Sequence, residues 1–193
     1  VMPKRLLVIG SGAIGIEFAS FYHELGAEVT VAEVMDRILP VEDEEISKLA
    51  EKDFKKQGLN IVTGAKVENL KAGKSTVTAE ITDKSGKKEN KEFDRAILAV
   101  GIVGNVEDLG LEDLGVKVEK THVTVDNFGR TGVKGLYAIG DLTGPPWLAH
   151  KASHEGVVCV EGIAGADHAE PFDPWNVPGC TYAHPQVASV GLT

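Results

Sequence analysis

The feature that most narrows the fold is the stretch Arg5-Leu-Leu-Val-Ile-Gly-Ser-Gly-Ala-Ile-Gly15, an apolar run that ends in three closely spaced glycines. Residues 5–9 do not alternate after Arg5, the pattern of a strand buried on both faces. From Ala13 to Leu25 the apolar residues Ile14, Phe18, Phe21 and Leu25 recur at spacings of 4, 3 and 4, which marks one face of a helix, with Gly26 as its stop. Residues 28–33, Glu-Val-Thr-Val-Ala-Glu, alternate as a second strand. Strand, glycine turn, helix and strand within about thirty residues make a βαβ unit.

The chain extends this unit. A second helix is expected from about Glu42 to Gln57, acidic at its start, with Lys55 and Lys56 at its end and Gly58 beyond, as the helix dipole favours. Residues 59–64 read as the next parallel strand. Residues 65–94 then hold strand-like segments broken by Gly73 and by Ser85-Gly86, an antiparallel meander inserted before a closing strand at 95–100. The expected fold class is α/β: a Rossmann-like domain with a parallel sheet and an inserted antiparallel meander. Beyond a boundary near 113 come a strand at 123–126, a turn around Asn127-Phe-Gly129, a strand at 136–141, and a helix from about Leu148 to Ala164. Residues 167–179 carry three prolines and read as a linker, and 180–193 begin a further segment that stops in mid-motif.

Gly10-Ser-Gly12-Ala-Ile-Gly15 is a G-x-G-x-x-G. Its spacing alone is weak evidence in a chain with 22 glycines, but its place after a strand and at the start of a helix makes it specific. Gly10 permits the tight turn, Gly12 lets the backbone approach a pyrophosphate, and Gly15 lets helix and strand pack closely. The phosphates would meet free N–H groups and the positive end of the helix dipole. Glu33 closes the second strand eighteen residues beyond Gly15. A carboxylate there accepts hydrogen bonds from ribose hydroxyls and repels a 2′-phosphate, which favours NAD over NADP. Glu17, in the first helix turn, either favours the helix N-terminus or points toward the nucleotide.

Composition removes other classes. With 20 basic and 29 acidic residues the net charge is −9, which argues against a nucleic-acid or anionic-membrane surface. No apolar run is long enough to span a bilayer. Val1-Met-Pro-Lys-Arg leads straight into a strand, so no leader is expected and the chain is expected to be soluble and intracellular. Cys159 and Cys180 are 21 residues apart, form no CxxC or CxxxxC, and read as structural thiols rather than a redox pair. His150 and His154 are i and i+4 on a helix, but no third ligand accompanies them and no metal site is expected.

The run from "PKRLLVIGSGAIGIEFASFYHELGAEVTVAE" through "AILAVG", "GLYAIGD" and "LAHKASHEG" to "YAHPQVASVGLT" resembles the flavin-dependent pyridine-nucleotide disulfide oxidoreductases over essentially the whole chain. "LAHKA" is most similar to the branch that oxidises dihydrolipoamide. The resemblance implies an NAD-binding domain at 1–113, the second segment of an FAD-binding domain at 114–170, and a linker with the start of a dimer-interface domain at 171–193. It places NAD against Gly10, Ser11, Gly12, Ala13, Ile14, Gly15, Ile16 and Glu17, its adenosine ribose on Glu33, its adenine near Val67, and its nicotinamide half near Gly101. It places FAD on Asp141, through the ribityl chain, and along Trp147, Leu148, Ala149 and His150. The implied subunit is a homodimer that serves 2-oxo acid dehydrogenase complexes, takes a lipoyl domain as substrate, and lies in the bacterial cytoplasm or the mitochondrial matrix.

Relatives commonly follow "AVG" with Arg-Arg-Pro, where this chain has Ile102-Val103-Gly104 and then Asn105. The chain also lacks the family's second GxGxxG, its CxxxxC and its His-Glu base, so no residue here is expected to be catalytic and the chain alone is expected not to turn over lipoamide. His184-Pro185 lies in an expected strand and is not that base. The alternatives are a stand-alone NAD-binding or sensor module and a sister reductase of the glutathione or mercuric type.

Overall fold

The computed structural model describes residues 1–192; Thr193, the last residue of the expected 171–193 segment, lies outside them. The chain forms two compact units: residues 1–101 with 180–189, and residues 102–179 with 190–192.

The first unit is built on β1 (Arg5–Ile9), α1 (Ala13–Glu24), β2 (Glu28–Ala32), α2 (Glu44–Gln57) and β3 (Asn60–Val62). A meander of β4 (Lys66–Ala72), β5 (Val77–Thr82) and β6 (Lys88–Phe93) follows, and β7 (Arg95–Leu98) closes the sheet. The main sheet runs β3-β2-β1-β7, with each pair parallel. The meander is a separate antiparallel sheet. The expected α/β fold with a parallel sheet and inserted meander is the fold observed. As a buried parallel strand requires, β1 is apolar on both faces: Leu6 and Val8 pack into the cluster shared with α1 and α2, while Leu7 packs into the one shared with the meander.

α2 follows its sequence signals closely. It starts at Glu44 rather than Glu42, because the Asp43 carboxylate accepts the N–H groups of Glu45 (2.8 Å) and Ile46 (3.3 Å) and so caps the helix. Ala50 and Phe54 bury its inner face. α1 departs from expectation. The stripe Ile14, Phe18, Phe21 and Leu25 faces outward, each residue at least 43% exposed, and the sheet is met by Gly15, Ile16, Ala19 and Ser20. Close approach to the glycine turn selects the small residues: a Cβ on Gly15 would lie 2.1 Å from the Gly10 carbonyl oxygen. Periodicity reveals two faces but not which one a tight packing distance admits.

A short antiparallel pair, β10 (Gly179–Thr181) and β11 (Val187–Ser189), lies beyond the linker. Its residues 180–189 join the first unit through three hydrogen bonds. Tyr182 N–H donates to Glu17 Oε1 (2.8 Å), His184 N–H to Ser20 Oγ (3.3 Å), and Gln57 Nε2 to the His184 carbonyl (2.8 Å). His184-Pro185 sits in the turn between the two strands and not within a strand.

The second unit is sparser. β8 (Val118–Glu119) and β9 (His122–Val123) form a two-residue ladder, and α3 spans Ala149–Ala164. The expected turn at 127–129 is present, held by Asp126 Oδ1, which accepts from Phe128 N–H (2.9 Å) and Arg130 N–H (3.0 Å). Burial pushes the Asp126 carboxyl up, but these two donors and the Arg130 guanidinium outweigh it and hold the group below its ordinary range. The strand expected at 136–141 is reduced to one bridge, Arg130 to Tyr137, followed by a 3-10 turn at Gly140–Thr143. Gly140 turns the chain with φ +76°, and its N–H goes to Glu155 instead of to a ladder. Of the strand expected at 123–126, only Val123 belongs to one.

Candidate functional site

The glycine turn joins β1 to α1, and three features shape it. Gly10 has φ +98°, and a Cβ on it would lie 2.3 Å from the Ala99 carbonyl oxygen, so the backbone just beyond β7 excludes any side chain there. Gly15 is closed in by Gly10 itself. Gly12 differs from both: its Cβ position has nothing within 4 Å. It is the N-cap of α1, with extended backbone and no side-chain cap, so the first amides of the helix face that open space. A cradle of free N–H groups with no side chain in front of it is what a pyrophosphate needs.

Glu33, 6% exposed, lies beside this cradle just beyond β2. Its Oε2 accepts both the Ser11 N–H (2.8 Å) and the Ser11 hydroxyl (2.6 Å), and its Oε1 accepts the Met35 N–H (2.8 Å). A carboxylate offers about four acceptor positions, so roughly one, on Oε1, remains for a ribose hydroxyl. Ser11, fully buried, is held on its other side as well, since its carbonyl accepts the Leu39 N–H at 2.9 Å. The acid expected to receive the ribose therefore also ties the glycine turn to the β2–α2 loop. Sequence reasoning missed this second task, which a serine between the first two glycines only faintly signals.

The other residues expected around NAD are placed as follows. Ala13 and Ile14 are exposed on the first turn of α1. Ile16 has its side chain in the core and its N–H on the Gly12 carbonyl (3.0 Å). Glu17 carries Tyr182 on its carboxylate. Val67 pairs with Ile81 across β4–β5 and packs half-buried on the meander-side cluster. Gly101 is exposed beyond β7, with open space at its Cβ position.

In the second unit, Asp141 is exposed in the 3-10 turn, and Trp147 and Leu148 are half-buried just before α3. The Trp147 indole N–H donates to His122 Nε2 (3.3 Å), which commits that ring to the protein. Leu148 is the N-cap of α3 and has no side-chain cap, so the first amides of this helix are free as well. Ala149 and His150 are exposed, and His150 Nε2 meets the Pro178 carbonyl at 2.7 Å. His154 packs against the Phe172 ring, centroids 6.0 Å apart. Cys159 is buried and Cys180 half-buried, and both are free thiols.

The family model described as pyridine nucleotide-disulphide oxidoreductase matches residues 1–156. The chain is similar over 192 residues to the dihydrolipoyl dehydrogenases of Rhizobium etli (57% identical) and Zymomonas mobilis (56%), with all of it covered. It spans 40% and 41% of the length of those two relatives. Among solved structures, LpdA of Mycobacterium tuberculosis superposes on the whole chain with TM-score 0.87 and 31% identity, over 41% of its own length. The HOCl-induced flavoprotein disulfide reductase RclA of Escherichia coli gives TM-score 0.86 and 25% identity, over 43% of its length. With more than half of its residues matched by that family model, and a glycine turn shaped as described, the chain belongs to the pyridine nucleotide-disulphide oxidoreductase family.

Proposed function

We propose that this chain is the NAD-binding part of a dihydrolipoyl dehydrogenase, an FAD-dependent enzyme that reoxidises protein-bound dihydrolipoamide with NAD as acceptor. One observation carries the reading: the Gly12 cradle lies open at an uncapped helix N-terminus, next to a buried carboxylate rather than a cation. The identity of the chain to two dihydrolipoyl dehydrogenases, above one half along its length, supports the specific member. In the domain assignment that goes with it, residues 1–113 bind NAD, 114–170 form the second segment of the FAD-binding domain, and 171–193 lead into the dimer-interface domain. The whole enzyme is then a homodimer in 2-oxo acid dehydrogenase complexes, with a lipoyl domain as substrate and the cytoplasm or mitochondrial matrix as its compartment.

The residues of this chain bind and orient. The amides at the start of α1 neutralise the pyrophosphate, and Gly12 leaves room for it. The remaining Oε1 position of Glu33 accepts a ribose hydroxyl, and its negative charge works against a 2′-phosphate. Asp141 and the free amides at the start of α3 would hold the FAD ribityl chain and the edge of the flavin. A flavin bound there supplies the two-electron carrier between a dithiol and the nicotinamide.

Calorimetric titration of the chain with NAD and NADP tests the reading, and Gly12→Val is the variant to pair with it. A Cβ there meets no protein atom within 4 Å, so a valine side chain enters the open cradle and stability stays within about 1 kcal/mol while NAD binding is lost. Equal affinity for NAD and NADP, or a Gly12→Val chain that binds NAD normally, would defeat it.

A further inference from the structure

Lys151 and Glu155 form a buried ion pair on α3 that the NAD and FAD assignments leave unused. Lys151 Nζ and Glu155 Oε1 are 2.8 Å apart, with side chains only 4% and 13% exposed. A buried pair of this kind is seldom a stability device, because desolvating both charges offsets most of their attraction. Its partners show what it holds. Glu155 Oε2 accepts the Gly140 N–H at 2.7 Å, and Lys151 Nζ donates to the Gly140 carbonyl at 3.3 Å. Thr143 Oγ1 donates to the same carbonyl at 2.8 Å and lies 3.4 Å from Lys151 Nζ. The two charges and the two polar groups of Gly140 therefore close a ring, acid on the amide and base on the carbonyl. The position itself requires glycine: its φ is +76°, and a Cβ there would sit 3.2 Å from the Ala152 Cβ. Directly after it comes the exposed Asp141, whose carboxylate meets no donor among the described residues.

The geometry points to Lys151 and Glu155 as positioning residues: by gripping Gly140 at both ends they fix the backbone that aims Asp141 at the ribityl chain of FAD. This rests on the reading of Asp141 as an FAD ligand. The pair does not touch the flavin itself. Its contribution is to hold Asp141 in its binding orientation before the cofactor arrives, so that no ordering cost falls on binding.

The test uses the full-length flavoprotein that contains this chain. Lys151→Met and Glu155→Gln each remove a charged hydrogen bond to Gly140, so the FAD dissociation constant rises about tenfold, while the NAD constant changes less than about twofold. The exchanged pair Lys151→Glu with Glu155→Lys separates positioning from a plain ion pair. It restores opposite charges at the same two positions but presents each to the wrong end of Gly140. It is expected to bind FAD as weakly as the single variants and to show fast hydrogen exchange at the Gly140 amide, whereas Lys151→Arg, which keeps the donor, retains FAD. Normal FAD affinity in the exchanged pair overturns the inference. Should the buried variants not fold, hydrogen exchange at the Gly140 amide of the FAD-free protein takes their place: a Glu155 carboxylate holding that N–H keeps it protected before the cofactor binds. Fast exchange at that amide without FAD overturns the inference equally. Asp141→Ala is the control: if it keeps FAD, the reading of Asp141 fails; if it loses FAD while the other variants keep theirs, only the clamp fails.

Discussion

Glu33 shows how much a single position can carry beyond what its motif announces. The fingerprint identifies an acid at the end of the second strand and predicts a ribose ligand, and the structure puts three protein donors on that carboxylate. Charge-assisted bonds at a residue 6% exposed are worth more than surface ones, so Glu33→Ala should lower stability by about 2–3 kcal/mol before any nucleotide is added. Denaturant unfolding of the nucleotide-free chain checks this; an unchanged midpoint would mean that the carboxylate serves the ligand alone. The departure at Gly104 gains an explanation at the same scale, while nothing in the structure explains Ile102 and Val103. Gly104 N–H donates to Thr121 Oγ1 (3.1 Å), and a Cβ on Gly104 would lie 2.0 Å from the Thr121 carbonyl oxygen. A proline there would have neither the hydrogen nor the room, a constraint that no local pattern displays.

Elements were legible to different degrees for physical reasons. α2 has its cap, its charged ends and its apolar face written in consecutive residues, and Asp43→Ala should cost about 1 kcal/mol as a lost cap. α1 carries an equally clear apolar period, yet the large residues of that period lie outside, since the tight contact with β1 needs glycine, alanine and serine. A pair of variants distinguishes the two faces. Ile16→Ala, in the core, should lose about 2–5 kcal/mol, while Phe18→Ser, on the expected but exposed face, should change stability by about 1 kcal/mol or less. If Phe18→Ser is the more damaging of the two, α1 is rotated relative to this description. The strand expected at 136–141 failed for another reason. Its apolar residues are real, but the amide that would continue a ladder is taken by Glu155, fifteen residues later in the chain. Lys151 and Glu155 carry a sequence signal, an i, i+4 pair of opposite charges on a helix face, though such a pair usually marks a solvent-exposed face.

At the scale of the whole chain, the sheet order followed from the βαβ unit, whereas the contacts that tie distant segments together did not. Residues 180–189 reach Glu17, Ser20 and Gln57 across more than 120 positions of sequence, and hydrogen bonds of that kind leave no period to read. Asp94 is a similar tie with a measurable consequence. Its Oδ2 accepts the N–H of Lys4 (2.7 Å) and of Arg5 (3.0 Å), fastening the start of β1 to the segment between β6 and β7. The Arg5 amide, then the Lys4 amide, hold its carboxyl below the ordinary value, with smaller help from the Arg5 guanidinium. A carboxyl depressed in the folded state stabilises the protein above its unfolded value, about 3.9, and that contribution disappears as the pH falls through the lower folded value. Asp94→Ala should therefore unfold at a lower temperature than the unsubstituted chain near neutral pH, and the gap should close as acidification carries the pH below the ordinary carboxylate range. Salt tells this tie from the surface pairs. Glu44, held low chiefly by its hydrogen bond and attraction to Lys48, is stabilised by a contact that about 1 M salt screens, whereas donors fixed in the backbone keep most of their effect on Asp94. Thermal melts of Asp94→Ala and Glu44→Gln across pH and salt separate the two. A gap for Asp94→Ala that persists at the acid limit would show that its loss is one of packing and not of the charged carboxylate.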